Sequence, residues 1–399
     1  MSRPCTGLTT SSPDPGTLRA VSEYAQGLSE HPIPSQAVGE AVGQVLDGLG
    51  DERPDLVMLF TSPHHIGAME DIVSSVRGLL DPTVLLGGSA GAVIGGGREV
   101  EDSPALSLFA ARLPTTLLTP VRLEVVPTPD GPSLVGWPDH PDGTMLLLAD
   151  PFTFPADAFL DRVNEDLPKL QIIGGMASAA MQPGGNRLVL DEQITDSGAV
   201  GVVLSGGVEI RTVVSQGCRP VGKPYVVTRS DRNFILELGG KSALQRLQET
   251  ATAANDEERE LMRQGLQIGC VVDETRLEFT RGDFLVRGVV GADQRSGAIA
   301  VGDNVPVGRT VQFQVRDAGS ADEDLRDLLT SAEADAAILF TCNGRGQRLF
   351  GEADHDAGVV DQLLGPLPLA GCFCAGELGP VGTRNFLHGF TASLALFTS

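Results

Sequence analysis

The residues best suited to chemistry stand at the ends of apolar runs. GGSAG (87–91) closes the run TVLL and puts a serine in the G-x-S-x-G spacing by which hydrolases lift a nucleophilic hydroxyl clear of a strand-to-helix turn. In that reading Ser89 is the nucleophile and His388 its general base. The elbow needs a helix behind it, however, and AVIGGGREVEDSP is Gly-rich and poor in helix formers, with no HGGG-like oxyanion segment upstream. Cys342 ends the run AAILFTC, and Cys372 and Cys374 end LPLAGCFC. With His388 these thiols would make a nucleophilic centre at Cys342 or a zinc site, but C-x-C is not the C-x-x-C knuckle, and free cysteine often serves as a small buried hydrophobe. A reactive Cys342 requires a lowered pKa. His64 and His65, after LFTSP, are read as pocket lining.

Nucleotide motifs fail on inspection. LGGKSA (238–243) resembles the end of a phosphate loop, yet its first glycine position holds Ile235, and GRGQRLFG has Leu349 where a dinucleotide fingerprint needs its third glycine. No cofactor and no metal is expected.

The elements that must carry these residues recur three times. LVMLFTS (56–62), a helical stretch at 69–80, TVLLGGSAG (83–91) and ALSLFAARL (105–113) form one copy. A looser second has TMLLLADPF (144–152), a helix around 157–167, KLQIIGGMASAA (169–180) and GAVGVVLSG (198–206). The third has AAILFTCNG (336–344), a helix around 356–364, LPLAGCFCAG (367–376) and FTASLALF (390–397). Met176 and Cys372 are read as the counterparts of Ser89, so the turn recurs without its serine. A repeated order means a repeated supersecondary unit. Short β-branched runs with little alternation read as strands buried on both faces, and strand–helix–strand favours a parallel pair, with the third strand antiparallel. The fold class is therefore α/β of mixed α+β type, with mixed sheets flanked by helices. Between copies two and three the chain reads as turn-separated strands with one polar helical stretch at 241–265.

At 399 residues the chain exceeds one ordinary core. We expect a flexible segment at 1–29 and two domains at 30–226 and 227–399, divided after a Gly-Lys-Pro turn. A net charge of −23 repels phosphate backbones and anionic headgroups, which excludes nucleic acid and membrane surfaces as partners. Six cysteines without framework spacing point to a reducing compartment, so the expected location is cytoplasmic. No stretch approaches the roughly 18 apolar residues that span a bilayer, and the N-terminus lacks an apolar signal core.

ILFTCNGRG (338–346), PYVVTRSDRNFILELGGKSAL and GCFCAGELGPVGTRNFLHGFTASLALF (371–397) together resemble the FIST family, over roughly residues 30–399. The last segment is similar to that family's closing Gly-Glu-Ile-Gly-Pro signature, with Leu378 for Ile. In the first copy Ala92 stands where the family usually has an acidic residue. The resemblance implies an intracellular sensory module for small ligands, with amino acids suggested and a signalling protein as partner; with no further domain after the last strand, a stand-alone sensor is expected.

The residues themselves support a binding reading. In such sheets ligands sit beyond the carboxyl ends of strands, where clustered glycines let backbone N–H groups converge on an anion. Gly87, Gly88, Ser89 and Gly91, then Gly174, Gly175 and Ser178, then Gly371, Gly376 and Glu377 occupy those ends. Cys342 lines the last of them, Asn343 would add an amide and Arg345 a carboxylate fork, and Glu377 would receive an ammonium. The competing use of the glycines is close packing. The rival functions are an enzyme acting through Ser89 or Cys342, and an adaptor for a protein partner.

Overall fold

The computed structural model describes residues 22–398 except 51, 130, 140 and 277. Of the segment expected to be flexible, residues 1–21 lie outside the described residues, whereas Glu23–Ser29 is a paired strand.

The first repeat runs β1 (Glu23–Ser29), α1 (Pro34–Leu49), β2 (Leu56–Thr61), α2 (Met69–Leu80), β3 (Val84–Ser89), the hairpin β4 (Val93–Gly95) and β5 (Arg98–Val100), and β6 (Leu106–Arg112). The second has β7 (Leu117–Thr128), β8 (Gly131–Val135), β9 (Thr144–Ala149), α3 (Ala156–Asp166), β10 (Gln171–Met176), the hairpin β11 (Leu188–Leu190) and β12 (Gln193–Thr195), and β13 (Ala199–Ser205). The third opens with β14 (Glu209–Gln216) and is then interrupted. The insertion holds β15 (Cys218–Asp231), β16 (Phe234–Leu238), β17 (Lys241–Ser242), α4 (Ala243–Ala253), α5 (Asp256–Gln264), β18 (Leu266–Val271), β19 (Phe284–Asp293), β20 (Ala298–Val301) and β21 (Thr310–Arg316). The repeat resumes with α6 (Ala318–Leu329), β22 (Ala336–Cys342), α7 (Gln347–Phe350), α8 (His355–Leu364), β23 (Leu369–Cys374), the hairpin β24 (Glu377–Val381) and β25 (Arg384–His388), and β26 (Thr391–Thr398).

Each repeat builds the centre of one sheet. The crossover pairs β2–β3, β9–β10 and β22–β23 are parallel, and the returning strands β6, β13 and β26 lie antiparallel beside β2, β9 and β22. Helices form where apolar residues recur with a period near 3.6: α2 buries Met69, Ile72, Val73, Val76 and Leu80 against its sheet.

The hairpin after each glycine turn leaves its own sheet. The first repeat's β4–β5 pairs with β23 of the third, the third's β24–β25 pairs with β10 of the second, and the second's β11–β12 pairs with β3 of the first. This cyclic exchange closes three sheets around one shared core, in which Phe60, Phe109, Leu148, Phe340 and Phe397 meet. The outer sheet faces carry separate helix-covered cores.

The insertion is an antiparallel barrel: β15, β21, β18, β19, β20 and β16 pair in that order, and β15 also pairs with β16. The 226/227 division falls inside β15, and Gly-Lys-Pro is an irregularity within that strand where the register shifts between Val221 and Tyr225. The single helix expected at 241–265 is two, because Asn255 forms a capping box with Glu258 and starts a new helix.

Candidate functional site

The parallel register aligns the glycine turns. Gly87, Gly174 and Gly371 stand opposite Leu59, Leu147 and Leu339, and a Cβ on any of them would be forced onto that leucine's carbonyl oxygen. These glycines serve close strand approach. Two places further along, Ser89, Met176 and Phe373 are equivalent, and their N–H groups donate to Arg187, Gly376 and Ala92 of the incoming hairpins. The counterpart of Ser89 is thus Phe373, one residue on from the expected Cys372; the register is set by hydrogen bonds that the sequence pattern does not display.

The turns meet where the sheets converge. Ser178 Oγ accepts from Gly91 N at 2.9 Å and donates to Phe373 O at 2.7 Å, joining all three repeats. A Cβ on Gly91 would lie 3.3 Å from Asn343 Oδ1, so Asn343 belongs to the same junction. Gly175, Glu377 and His388 are consecutive cross-strand neighbours on β10, β24 and β25, and Gly376 packs against Met176 and Leu387. Gly88 faces Leu148 and Leu188 at ordinary contact distance, away from the charged groups described next.

The third repeat concentrates charge. Arg345 is fully buried, and its Nε and Nη2 each donate to Asp356 at 2.7 Å. Thr341 Oγ1 also donates to Asp356 at 2.7 Å. His355 bridges Asp356 and Asp322 at 3.0 and 3.1 Å and stacks on Phe350, whose ring also faces the Arg345 guanidinium. Burial alone would raise the Asp356 pKa; Arg345 and the surrounding hydrogen bonds outweigh it and hold the carboxyl below the usual range. The fork expected to receive a ligand carboxylate is therefore largely occupied, leaving Nη1 as the one guanidinium nitrogen without a hydrogen-bond partner.

Glu377 is also fully buried. Its Oε2 accepts from Thr391 N and Oγ1 at 3.2 and 2.7 Å, while Oε1 has no hydrogen-bond partner. Burial pushes its pKa up to about 8, against the opposing effects of Thr391, Arg345 and the Cys342 thiol, a weak donor. Cys342, half-buried beside it, is pushed up to about 12, first by burial and then by Glu377. Asn343 on the same loop is exposed.

The hairpin donated by the first repeat completes this cluster. Glu99 Oε1 accepts from Ala357 N and Glu101 Oε1 from Gln347 N, both at 2.9 Å, so these carboxylates sit at the starts of α8 and α7. Burial and Asp356 raise the Glu99 pKa to about 8.

The groups singled out for catalysis are placed otherwise engaged. Ser89 Oγ accepts from Arg187 N at 2.8 Å, and no histidine among the described residues is hydrogen-bonded to it. His388 lies in another sheet, with Nε2 3.0 Å from Gly379 O, and burial lowers its pKa to about 4. Cys372 and Cys374 are buried with their sulfurs 3.8 Å apart, and burial raises Cys374 well above the usual thiol value. His64 lies on the short turn after β2, 3.5 Å from Ser62 Oγ; His65 is buried there, its pKa lowered by burial and by His64.

Asp356, Glu99, Thr391, Asp322 and His355 were not singled out from sequence. Asp356 opens a predicted helix, where an acidic residue is ordinary. Glu99 is 257 positions before Asp356 and reaches it only through strand exchange.

Two family models match the chain, one described as the FIST N domain over residues 55–241 and one as the FIST C domain over 243–380. An uncharacterized protein of Mycobacterium bovis is 45% identical over 383 residues, covering 93% of this chain and 97% of its own length. An uncharacterized protein of Mycobacterium tuberculosis is 43% identical over 381 residues, covering 93% of this chain and 98% of its own length.

Proposed function

This chain belongs to the FIST family of signal-transduction sensory domains, and we propose that it senses a small polar ligand, a free amino acid or small carboxylate, at the third-repeat junction of Cys342, Asn343, Arg345 and Glu377. One observation carries the reading. Arg345 Nη1 and Glu377 Oε1 are polar atoms of completely buried side chains, neither with a nitrogen or oxygen partner and Glu377 with only the weak Cys342 thiol donor besides Thr391, on residues close enough that Arg345 lowers the Glu377 pKa. Leaving such a group unsatisfied costs about 1–3 kcal/mol, more when charged, so a guest that accepts from Nη1 and engages Oε1 gains what the protein leaves unmade. Asp356 already balances the Arg345 charge, so the guest need not be strongly anionic.

The Glu377 pKa of about 8 gives the ligand a pH signature. An ammonium at Oε1 favours the ionised carboxylate, so an amino acid should bind more tightly as pH rises through about 8. A simple carboxylate should bind less tightly over the same range, because ionised Glu377 repels it. A chain of net charge −23 whose described cysteines are free thiols is proposed to do this in the cytoplasm and to report to a signalling protein.

The test is calorimetric titration of amino acids and small carboxylates at pH 6.5, 7.5 and 8.5 into wild type and Glu377→Gln, with mass spectrometry of the incubated ligands. Saturable binding with these opposite pH trends, flattened in Glu377→Gln and without turnover, supports the reading. Binding indifferent to Glu377→Gln overturns the site. Product formation abolished by Cys342→Ala or Ser89→Ala replaces the sensor with an enzyme.

A further inference from the structure

The second repeat differs from its siblings on one outer face. In the first and third repeats a helix lies between edge strand and central strand and covers the sheet beside the crossover helix: α1 in one, α6 in the other. In the second repeat the corresponding sequence is GWPDHPDG (136–143), where two prolines and flanking glycines forbid a helix. The chain instead continues β7 past the end of β13, turns back as β8, and returns to β9 through this stretch. Trp137 is laid against Phe159 of α3, with ring centroids 5.4 Å apart and planes at 66°.

A narrow strip in place of a helix leaves space. Between it and α3 lies a groove of about 710 Å³, with Val125, Leu134, Trp137, Phe159, Val163 and Leu167 as its apolar walls. That size is typical of small-molecule sites. Phe159, Val163 and Leu167 recur every fourth residue, so one stripe of α3 forms the wall. Among the described residues, three charged ones line the groove. Arg162 Nε is held by Asp166 Oδ2 at 2.5 Å, whereas Asp139 makes no ion pair among the described residues. The uncompensated charge is therefore a carboxylate, next to an indole face that also favours cations.

We propose that this groove is a second binding site, separate from the Arg345–Glu377 junction, for a small amphipathic amine whose aromatic or alkyl body lies against the apolar wall that the Trp137–Phe159 pair forms with Leu134 and Val163 and whose ammonium meets Asp139. Charge complementarity selects this occupant over an acid of the same skeleton, which would meet Asp139 as a like charge.

Trp137 is the chain's single tryptophan, so its emission reports on this groove alone. The experiment titrates 2-phenylethylamine, 2-phenylethanol and 3-phenylpropionate into wild type, Asp139→Asn, Ala158→Phe and Glu377→Gln while Trp137 fluorescence is followed. Ala158 is an exposed residue of the groove wall, and phenylalanine there fills it. The expected result is a saturable shift with the amine, affinity for the acid weaker by about tenfold, the equivalent of one close charge contact, and the alcohol in between. Asp139→Asn should bring amine and alcohol together, Ala158→Phe should abolish all three responses, and Glu377→Gln should leave them unchanged. No saturable response to the amine, a preference for the acid, or a response that survives Ala158→Phe overturns the proposal. Loss of the response in Glu377→Gln assigns the amine to the other site and overturns it as well.

Discussion

Asp356 and Glu377 are buried carboxyls that both feel the charge of the same arginine, Arg345, yet their pKa values move in opposite directions. Asp356 receives two guanidinium bonds and is held ionised; Glu377 has only Thr391 for Oε2 and stays protonated to about pH 8. Removing one partner of a buried ion pair leaves the other uncompensated, so Asp356→Asn should cost about 3–5 kcal/mol in urea unfolding, and the double change Arg345→Met with Asp356→Leu clearly less than that. Equal losses in both variants would mean that the pair acts mainly through packing. The Asp356 contribution is present above its unfolded pKa and is lost as pH falls. For Glu377 the folded pKa of about 8 exceeds the ordinary 4.5, so the folded state binds the extra proton between those values. Stability from this group is therefore full below about pH 4.5, declines by up to about 1.4 kcal/mol per unit, and levels off above about pH 8. Glu377→Gln, which mimics the protonated form, should match wild type at pH 5 and exceed it at pH 9 in the same unfolding assay. A variant less stable at pH 9 would refute the raised pKa.

Among the elements, adjacent glycines in β3 should respond differently to one methyl group. A Cβ on Gly87 would stand 2.5 Å from Leu59 O, whereas one on Gly88 meets nothing closer than 3.5 Å. Gly87→Ala should cost about 1–3 kcal/mol by pushing β3 off β2, and Gly88→Ala should change stability by at most about 0.5 kcal/mol; calorimetric melting of both variants decides it. The crossover helices and repeat strands were legible because their apolar periods are strong and local. The strand Glu23–Ser29 was not, since EYAQGLS holds no β-branched residue and its place is fixed by pairing with β6. The break at Asn255 was missed because its capping box lies within a continuously polar helical pattern.

For the whole molecule, the cyclic exchange means that no repeat completes its own sheet. Ile94, fully buried on β4 of the first repeat, packs with Leu339, Leu369 and Leu394 of the third. Ile94→Ala should cost about 2–5 kcal/mol, and hydrogen exchange should quicken in β23 (Leu369–Cys374), far away in sequence, together with β4. Quickening confined to residues 84–100 would show that the repeats unfold independently. The same exchange carries Glu99 to the start of α8 and Glu377 beside Gly175.

The sequence by itself determined the three repeats, their buried strands and crossover helices, and the family, because each is written in local periodicity or in contiguous motifs. Tertiary structure alone decided which sheet each hairpin enters, that Asp356 occupies most of the Arg345 fork, that Ser89 and His388 stand in different sheets, and that a groove opens where the second repeat lacks a helix. Those outcomes depend on backbone pairing and burial between segments many residues apart. Such pairing leaves no mark on the residue types, since a short hairpin such as VIG–REV reads the same whichever edge strand it joins.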